Sequence, residues 1–378
     1  MAIRIDHTGR GAGAGTDMPP LAGGISSERR RGRGARSNRA GRFERFERFD
    51  VDDGWRNFEV LARFDTTVTE EAPKRIITRN SSPDISFDRS INPYRGCEHG
   101  CAYCYARPTH AWLGLSPGLD FETRLFAKPS APALLERELG APGYSPATIA
   151  LGTNTDPYQP IERTRRITRR ILEVLDKANH PVGIVTKSAL VARDIDILAP
   201  MAERGLAKVA VSVTTLDPGL ARAMEPRAAA PERRIETLRQ LAGAGIPAAV
   251  MVAPIIPGLN DEEIEAILAR AADAGAGEAG YVMLRLPLEV RDLFTEWLNE
   301  HVPVRAARVL SLIRQIRGGR DYDATWGRRQ RGSGPLAWSI GRRFELATGR
   351  LGLNRDKARL RTDLFEPPVP EGGQLRLL

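Results

Sequence analysis

The chain has 378 residues, 42% of them hydrophobic, a formal net charge of +9 and 3 cysteines. That hydrophobic share excludes a wholly disordered chain, and an odd number of cysteines excludes a complete disulfide framework. The charge is uneven: residues 1–50 hold 11 Arg against 6 acids, and residues 301–378 hold 15 Arg and 1 Lys against 7 acids, so the body between them is mildly acidic. Basic ends suit a polyanion such as DNA or RNA. An arginine count of 50 against 6 lysines is also what GC-rich coding produces.

The first fifteen residues, MAIRIDHTGRGAGAG, contain no apolar core segment, so no secretory signal is expected. Residues 1–42 are rich in Gly, Arg, Ser and Pro without apolar periodicity and read as disordered when unbound. In the following RFERFERF, Phe43, Phe46 and Phe49 recur every third residue. Arginine and aromatics interleaved in this way can stack on nucleic acid. The spacing better suits one face of a short helix docked on the body.

From about residue 85, β-branched runs alternate with amphipathic stretches. The runs are 85–91, 148–151, 182–186, 209–213, 248–253 and 281–286. A helix is predicted over 161–179, with Ile167, Ile171, Leu172 and Leu175 on one stripe, and another over 231–244, opened by Pro231 and closed by Gly243 and Gly245. Asn260, followed by Asp261, Glu262 and Glu263, reads as a helix cap with acids at the positive end of the dipole. Six strand–helix units predict a parallel sheet, closed as a barrel or open and doubly wound. In either case functional groups gather at the C-terminal strand ends. Residues 241–260 carry no charge, but Pro247, Pro254 and Pro257 break any helix there, so a soluble, cytoplasmic protein without membrane contact is expected. The tail predicts helices over 304–316 and 335–353, separated by a basic, flexible GRRQRGSG.

All three cysteines fall in Gly96-Cys97-Glu98-His99-Gly100-Cys101-Ala102-Tyr103-Cys104, a C-x3-C-x2-C spacing. Thiolates this close repel unless a cation neutralises them, which points to a metal site. Zinc would need a fourth ligand, His99 or His110. A [4Fe–4S] cube on three cysteines would leave one iron open for a small molecule.

C-x3-C-x-aromatic-C after a first strand that opens a run of βα units resembles the radical S-adenosylmethionine (SAM) superfamily. The resemblance covers roughly residues 30–370. It points to an uncharacterised bacterial branch related to spore photoproduct lyase and labelled "DNA repair photolyase". The stretches that carry it include SPDISFDRSINPYRGCEHGCAYCYARPTHAWLGLSPGLDFETRLFAK, IALGTNTDPYQPIE, IVTKSALVARD, SVTTLD and APIIPGLND. It implies an α/β fold, a partial (βα)6 TIM-type barrel at 76–300. A flexible basic extension at 1–75 and a mostly helical basic extension at 301–378 would flank it.

By that resemblance Cys97, Cys101 and Cys104 would ligate three irons, and SAM would chelate the fourth. Tyr103 would lie by the adenine. Gly152, Asn154, Thr155 and Asp156 stand where the superfamily commonly has Gly-Gly-Glu, the motif that holds the SAM amino group. Lys187 would meet the SAM carboxylate, Ser212 the ribose or carboxylate, and Pro254 and Ile255 the adenine. Arg227 could face substrate or pair with a local acid, and Tyr105 or Tyr158 could relay a radical or simply pack. The implied reaction is reductive cleavage of SAM to a 5′-deoxyadenosyl radical that abstracts hydrogen from a substrate, a nucleic acid among the candidates. Its electrons would come from a flavodoxin- or ferredoxin-like donor. Spore photoproduct lyase uses a further cysteine as hydrogen donor; this chain has none outside the loop, which disfavours that reaction. The competing expectation is a non-catalytic iron–sulfur or zinc sensor.

Overall fold

A computed structural model describes residues 32–44 and 65–368. In chain order, the first strands are β1 (Thr67–Glu70), β2 (Ile77–Arg79), β3 (Arg89–Ile91) and β4 (Tyr94–Arg95). They are followed by α1 (Asp120–Thr123), β5 (Arg124–Ala127), α2 (Ala131–Leu139) and β6 (Ile149–Leu151). Next come α3 (Glu162–Arg165), α4 (Ile167–Lys177), β7 (Val182–Thr186), α5 (Ile195–Glu203) and β8 (Ala207–Ser212). Then follow α6 (Pro218–Met224), α7 (Pro231–Gly243), β9 (Ala248–Ile255), α8 (Ile264–Asp273) and β10 (Glu278–Met283). The chain continues through α9 (Val290–His301), α10 (Pro303–Gln315) and α11 (Gly334–Arg350).

The six predicted runs become six neighbouring parallel strands in the order β3-β6-β7-β8-β9-β10. Their side chains are buried because helices cover the sheet: Ile149 and Leu151 of β6 are fully buried, as are Leu172 and Leu175 of α4 and Leu238 and Leu241 of α7. One antiparallel strand, β2, extends the β3 edge, and β10 forms the other edge; among the described residues no strand pair closes the ring. The fold is therefore a partial barrel. A second sheet, β1-β5-β4, lies outside it; neither it nor β2 was expected, since strands of two to four residues are too short to show a period.

Two local expectations are corrected. The single helix predicted over 161–179 breaks at Arg166, whose φ of 51° is left-handed. The buried carboxylate of Glu162 accepts the N–H groups of Thr168 (3.0 Å) and Arg169 (3.3 Å), so it caps a fresh helix after the break. Asn260 does not cap α8. Its amide nitrogen donates to the Thr214 and Pro254 carbonyls (2.7 and 3.0 Å), and its oxygen accepts from Ile256 N–H (2.7 Å), a buried knot beyond β9.

The GRRQRGSG stretch, 327–334, is expected from its sequence to be flexible; with Trp326, its residues 327–331 form a strap across the open side of the barrel. Met283 at the end of β10 donates its N–H to the Gln330 carbonyl (2.8 Å). On the opposite side Asp84, in the β2–β3 connection, accepts from Gly327 N–H (2.6 Å) and pairs with Arg329. The described part of the N-terminal extension, 32–44, lies against the body: Gly34 and Ala35 donate their N–H groups to buried Glu122 (2.9 and 2.7 Å). Phe43 packs on Trp112 with ring centroids 4.5 Å apart, whereas Phe46 and Phe49 lie outside the described residues. No helix among the described residues is long and apolar enough to cross a membrane.

A buried histidine gives the fold an acid limit. His180 has no exposure; its Nε2 accepts from the Tyr144 hydroxyl (2.8 Å) and its Nδ1–H faces the Pro181 carbonyl (3.1 Å), which selects the neutral ring. Burial, with Arg89 nearby, lowers its pKa to about 4. The unfolded chain takes up this proton near pH 6.5, so stability falls as pH drops from there to about 4. The loss is about 3 kcal/mol at one pKa unit per 1.4 kcal/mol. Urea melts across that window should show it, and His180→Gln should flatten the slope.

Candidate functional site

The three cysteines lie in the loop between β4 and a 3-10 helix, Arg107–Leu113. Gly96 and Gly100 have left-handed φ values of 74° and 67°. A Cβ on Gly96 would stand 2.6 Å from Leu125, and one on Gly100 2.8 Å from the Glu122 carboxylate, so only glycine lets the loop pass here. Beneath it Arg107 and Glu122 form a fully buried ion pair (2.5 Å). Arg107 Nε also donates to the Cys101 carbonyl (2.9 Å), and Glu122 receives the two N-terminal N–H groups. Gln159 ties down the other half of the loop, accepting from Glu98 N–H (2.9 Å) and donating to the Gly96 carbonyl (3.1 Å).

Cys97 and Cys101 are buried and Cys104 is half-buried. Burial pushes the Cys101 thiol up to about 12, with Glu225 adding to it, and raises Cys97 and Cys104 as well. The surrounding protein therefore keeps the thiols neutral, and only a bound cation could draw off their protons. Among the described residues no three His, Cys, Asp or Glu side chains converge on one ion position. The Cys3His set considered for zinc is thus not assembled. His110 instead packs edge-on against Phe121 and contacts the Arg124 carbonyl through Nε2 (3.0 Å), and His99 Nδ1 lies 3.4 Å from Asp156. A cubane does not require convergence, because each thiolate binds its own iron.

The segment 152–156 follows β6. Gly152 has φ 89°, and a Cβ there would fall 1.9 Å from the Val185 carbonyl oxygen. Asp156 accepts from the Thr186 hydroxyl (2.7 Å) and from the N–H groups of Tyr158 and Lys187 (2.9 and 2.8 Å). Burial raises its pKa, but His99 and these donors outweigh it and hold the carboxyl at about 2. Its acceptors are thus engaged in tying β6, β7 and the cysteine loop together. The Thr155 hydroxyl donates to the Tyr94 carbonyl (3.1 Å), and Asn92 accepts from Asn154 N–H (3.1 Å). Of the predicted polar set, the Asn154 side-chain amide makes no hydrogen bond among the described residues.

Lys187 follows the end of β7, with its ammonium 5.8 Å from the centre of the Tyr103 ring and, among the described residues, no carboxylate within ion-pair distance. The Tyr103 hydroxyl donates to Glu225, which also accepts from Thr214 (2.6 Å) and pairs with Arg234. Arg234 further donates to the Ser212 carbonyl (3.1 Å), which links α7 to β8. Ser212, Pro254 and Ile255 are buried at the ends of β8 and β9. The structure thus brings the cysteine loop, 152–156, Lys187, Ser212, Pro254 and Ile255 to the C-terminal ends of the parallel strands. Tyr105, 42% exposed, donates its hydroxyl to the Thr153 carbonyl. Tyr158 instead sits in the main hydrophobic core without exposure, and Arg227 pairs with Glu98 (3.0 Å).

Sequence reading missed Glu225, Thr214, Arg107, Glu122 and Gln159. One signal was available: Arg234 sits on the buried stripe of α7 with Ile235, Leu238 and Leu241. A charge on an apolar stripe calls for a buried partner.

Comparison with known proteins agrees with this geometry. The family model described as the radical SAM superfamily matches residues 91–271. An uncharacterised protein of Mycobacterium tuberculosis is 37% identical over 233 residues, covering 61% of this chain and 68% of that one. One from Methanocaldococcus jannaschii is 31% identical over 173 residues, covering 46% and 62%. Among solved structures, a spore photoproduct lyase variant with bound AdoMet and dinucleoside spore photoproduct superposes with a TM-score of 0.54 at 15% identity. The match covers 76% of this chain and 80% of that one, which is a likeness of fold. The chain belongs to the radical SAM superfamily.

Proposed function

We propose that the protein is a radical SAM enzyme whose Cys97, Cys101 and Cys104 hold a [4Fe–4S] cluster, with SAM bound alongside at the strand ends. The carrying observation is three thiols in one buried loop at the mouth of a split barrel, beside a lysine ammonium that has no anionic partner among the described residues. Buried neutral thiols become ligands once a metal displaces their protons, so the donor set fits the group. The bound cofactors supply reductive carbon–sulfur cleavage and hydrogen-atom abstraction.

The chain's own residues bind and orient. Lys187 offers a flexible cation to a carboxylate, and the Asn154 amide oxygen offers an acceptor to an ammonium. Tyr103, fixed by Glu225, presents a ring, and buried Pro254 and Ile255 present apolar surface to adenine. The buried sheet excludes water and stray hydrogen donors. Tyr105 is better placed than Tyr158 to meet a substrate, because it is exposed beside Cys104. DNA or RNA is the substrate class that the basic ends favour, with a small flavoprotein or ferredoxin as electron source.

Anaerobic reconstitution followed by SAM and a strong reductant should release 5′-deoxyadenosine and methionine. Bound zinc with no acid-labile sulfide, or no SAM cleavage by the reconstituted protein, would overturn the reading.

A further inference from the structure

Two guanidinium groups near the barrel mouth are buried or half-buried without the carboxylate partner that the buried Arg107 and Arg234 have. Arg285 follows β10, and its guanidinium lies 4.6 Å over the ring of Tyr105, the residue after Cys104. Among the described residues its one hydrogen bond is a long one to the Tyr322 hydroxyl (3.4 Å), and its Nε is buried without a partner there. Arg317, 1% exposed, donates among the described residues only to the carbonyls of Arg328 (2.8 Å) and Leu284 (2.5 Å), and its Nε is likewise unpartnered there. Neither arginine has a carboxylate within 4.0 Å among the described residues, although this region has acids. Asp84 is taken by Arg329 and Gly327, and Asp321 by Arg314 and Arg291. The two cations also act on each other: burial first lowers the pKa of Arg317, and Arg285 adds to that, while Tyr322 and Asp323 oppose it without reversing it.

Such an excess of partly buried positive charge is costly unless an anion answers it. Arg285 is the half-buried member, so it can meet a ligand; Arg317 behind it adds charge without being reachable. A guanidinium stacked on a ring is held flat, with its outer edge presented for fork-like contact with an oxyanion.

We infer that Arg285 is a substrate-recognition residue that binds an oxyanion of the substrate, a phosphate or carboxylate group, at the mouth beside Tyr105. This rests on the radical SAM reading for its role, but not for its binding chemistry. Tyr105 is then the platform that orients the guanidinium, and the strap of residues 326–331 walls the site on the open side of the barrel.

The test is calorimetric titration of the reconstituted, SAM-loaded protein with inorganic phosphate and, separately, with acetate. Arg285→Gln should weaken the preferred anion on the order of 10–100-fold, the range of a charge-assisted bond, and Arg285→Lys less. Arg305→Gln, on the exposed face of α10, should leave it unchanged. Loss confined to phosphate assigns a phosphate ester, and loss confined to acetate a carboxylate. Equal affinity in wild type and Arg285→Gln, or equal loss in Arg305→Gln, overturns the proposal. So does Arg285→Gln protein that does not fold while Arg285→Lys folds and binds as wild type. A wild type that binds the anion through Arg285 yet cleaves no SAM overturns the enzymatic reading alone.

Discussion

Cys101→Ala protein should fold and yet release no 5′-deoxyadenosine above background, with its iron and acid-labile sulfide sharply reduced after reconstitution. The fold survives because the Cys101 loop is held by other groups. Arg107 donates to the backbone carbonyl of Cys101 rather than to its sulfur, and Ala102 N–H donates to the Met224 carbonyl (3.0 Å). Removing one buried sulfur costs about 1 kcal/mol, a small fraction of the stability of a domain this size. The ligand set, in contrast, loses a third of its thiolates, and no cysteine elsewhere in the chain can replace one. Metal and sulfide analysis, SAM turnover and circular dichroism of the same preparation separate the two effects. A variant with full iron and wild-type cleavage would remove Cys101 from the site.

Arg234→Met should lower stability by about 3–5 kcal/mol, because it strands the Glu225 carboxylate in the core. Both side chains are essentially inaccessible, at 2% and 0% exposure. Burial alone would raise the Glu225 pKa, but Arg234 and Lys187 outweigh it and bring it to about 2. A carboxyl depressed in this way adds stability that is fully present above its unfolded value near 4.3 and disappears as pH falls toward about 2. In Arg234→Met the burial penalty is less opposed, so the acid limb of the stability curve should move to higher pH. Glu225→Gln in the same background should recover part of the loss, since a neutral amide needs no counter-charge. Thermal and urea melts of the single and double variants across pH 3–7 test this. Additive losses would show that the two residues are not coupled. Tyr103 donates its hydroxyl to Glu225, so ring orientation beside the cysteines should loosen as well, seen as weaker SAM binding by the reconstituted variant.

The barrel strands were legible because each is a short β-branched run between helices of regular period. Residues 182–186 are β7 to the residue, and the other five runs overlap their strands. The cysteine spacing, Lys187 at a strand end and the glycine at 152 were legible for the same reason: the evidence is local in the chain. Arg166 and Asn260 show where locality fails. A helical stripe continues through residue 166, and only Glu162, folded back beneath it, decides that the helix restarts. Asn260 carries every mark of a cap, yet it hydrogen-bonds Thr214, 46 residues earlier.

The same division holds for the whole molecule. Composition and spacing alone showed the strand rhythm and pointed to a metal site in one loop, because periodicity and thiol chemistry are properties of neighbouring residues. Tertiary structure decided which charges are paired and which are left over. Arg107 meets Glu122 across 15 residues and the strap residue Arg329 meets Asp84 across 245, whereas among the described residues Arg285 and Arg317 have no carboxylate in direct contact. The net charge of +9 says nothing about which of 50 arginines is free, since pairing depends on distance in space and burial. Folding places Arg285 over the Tyr105 ring, next to the cysteine loop, with no carboxylate in contact among the described residues.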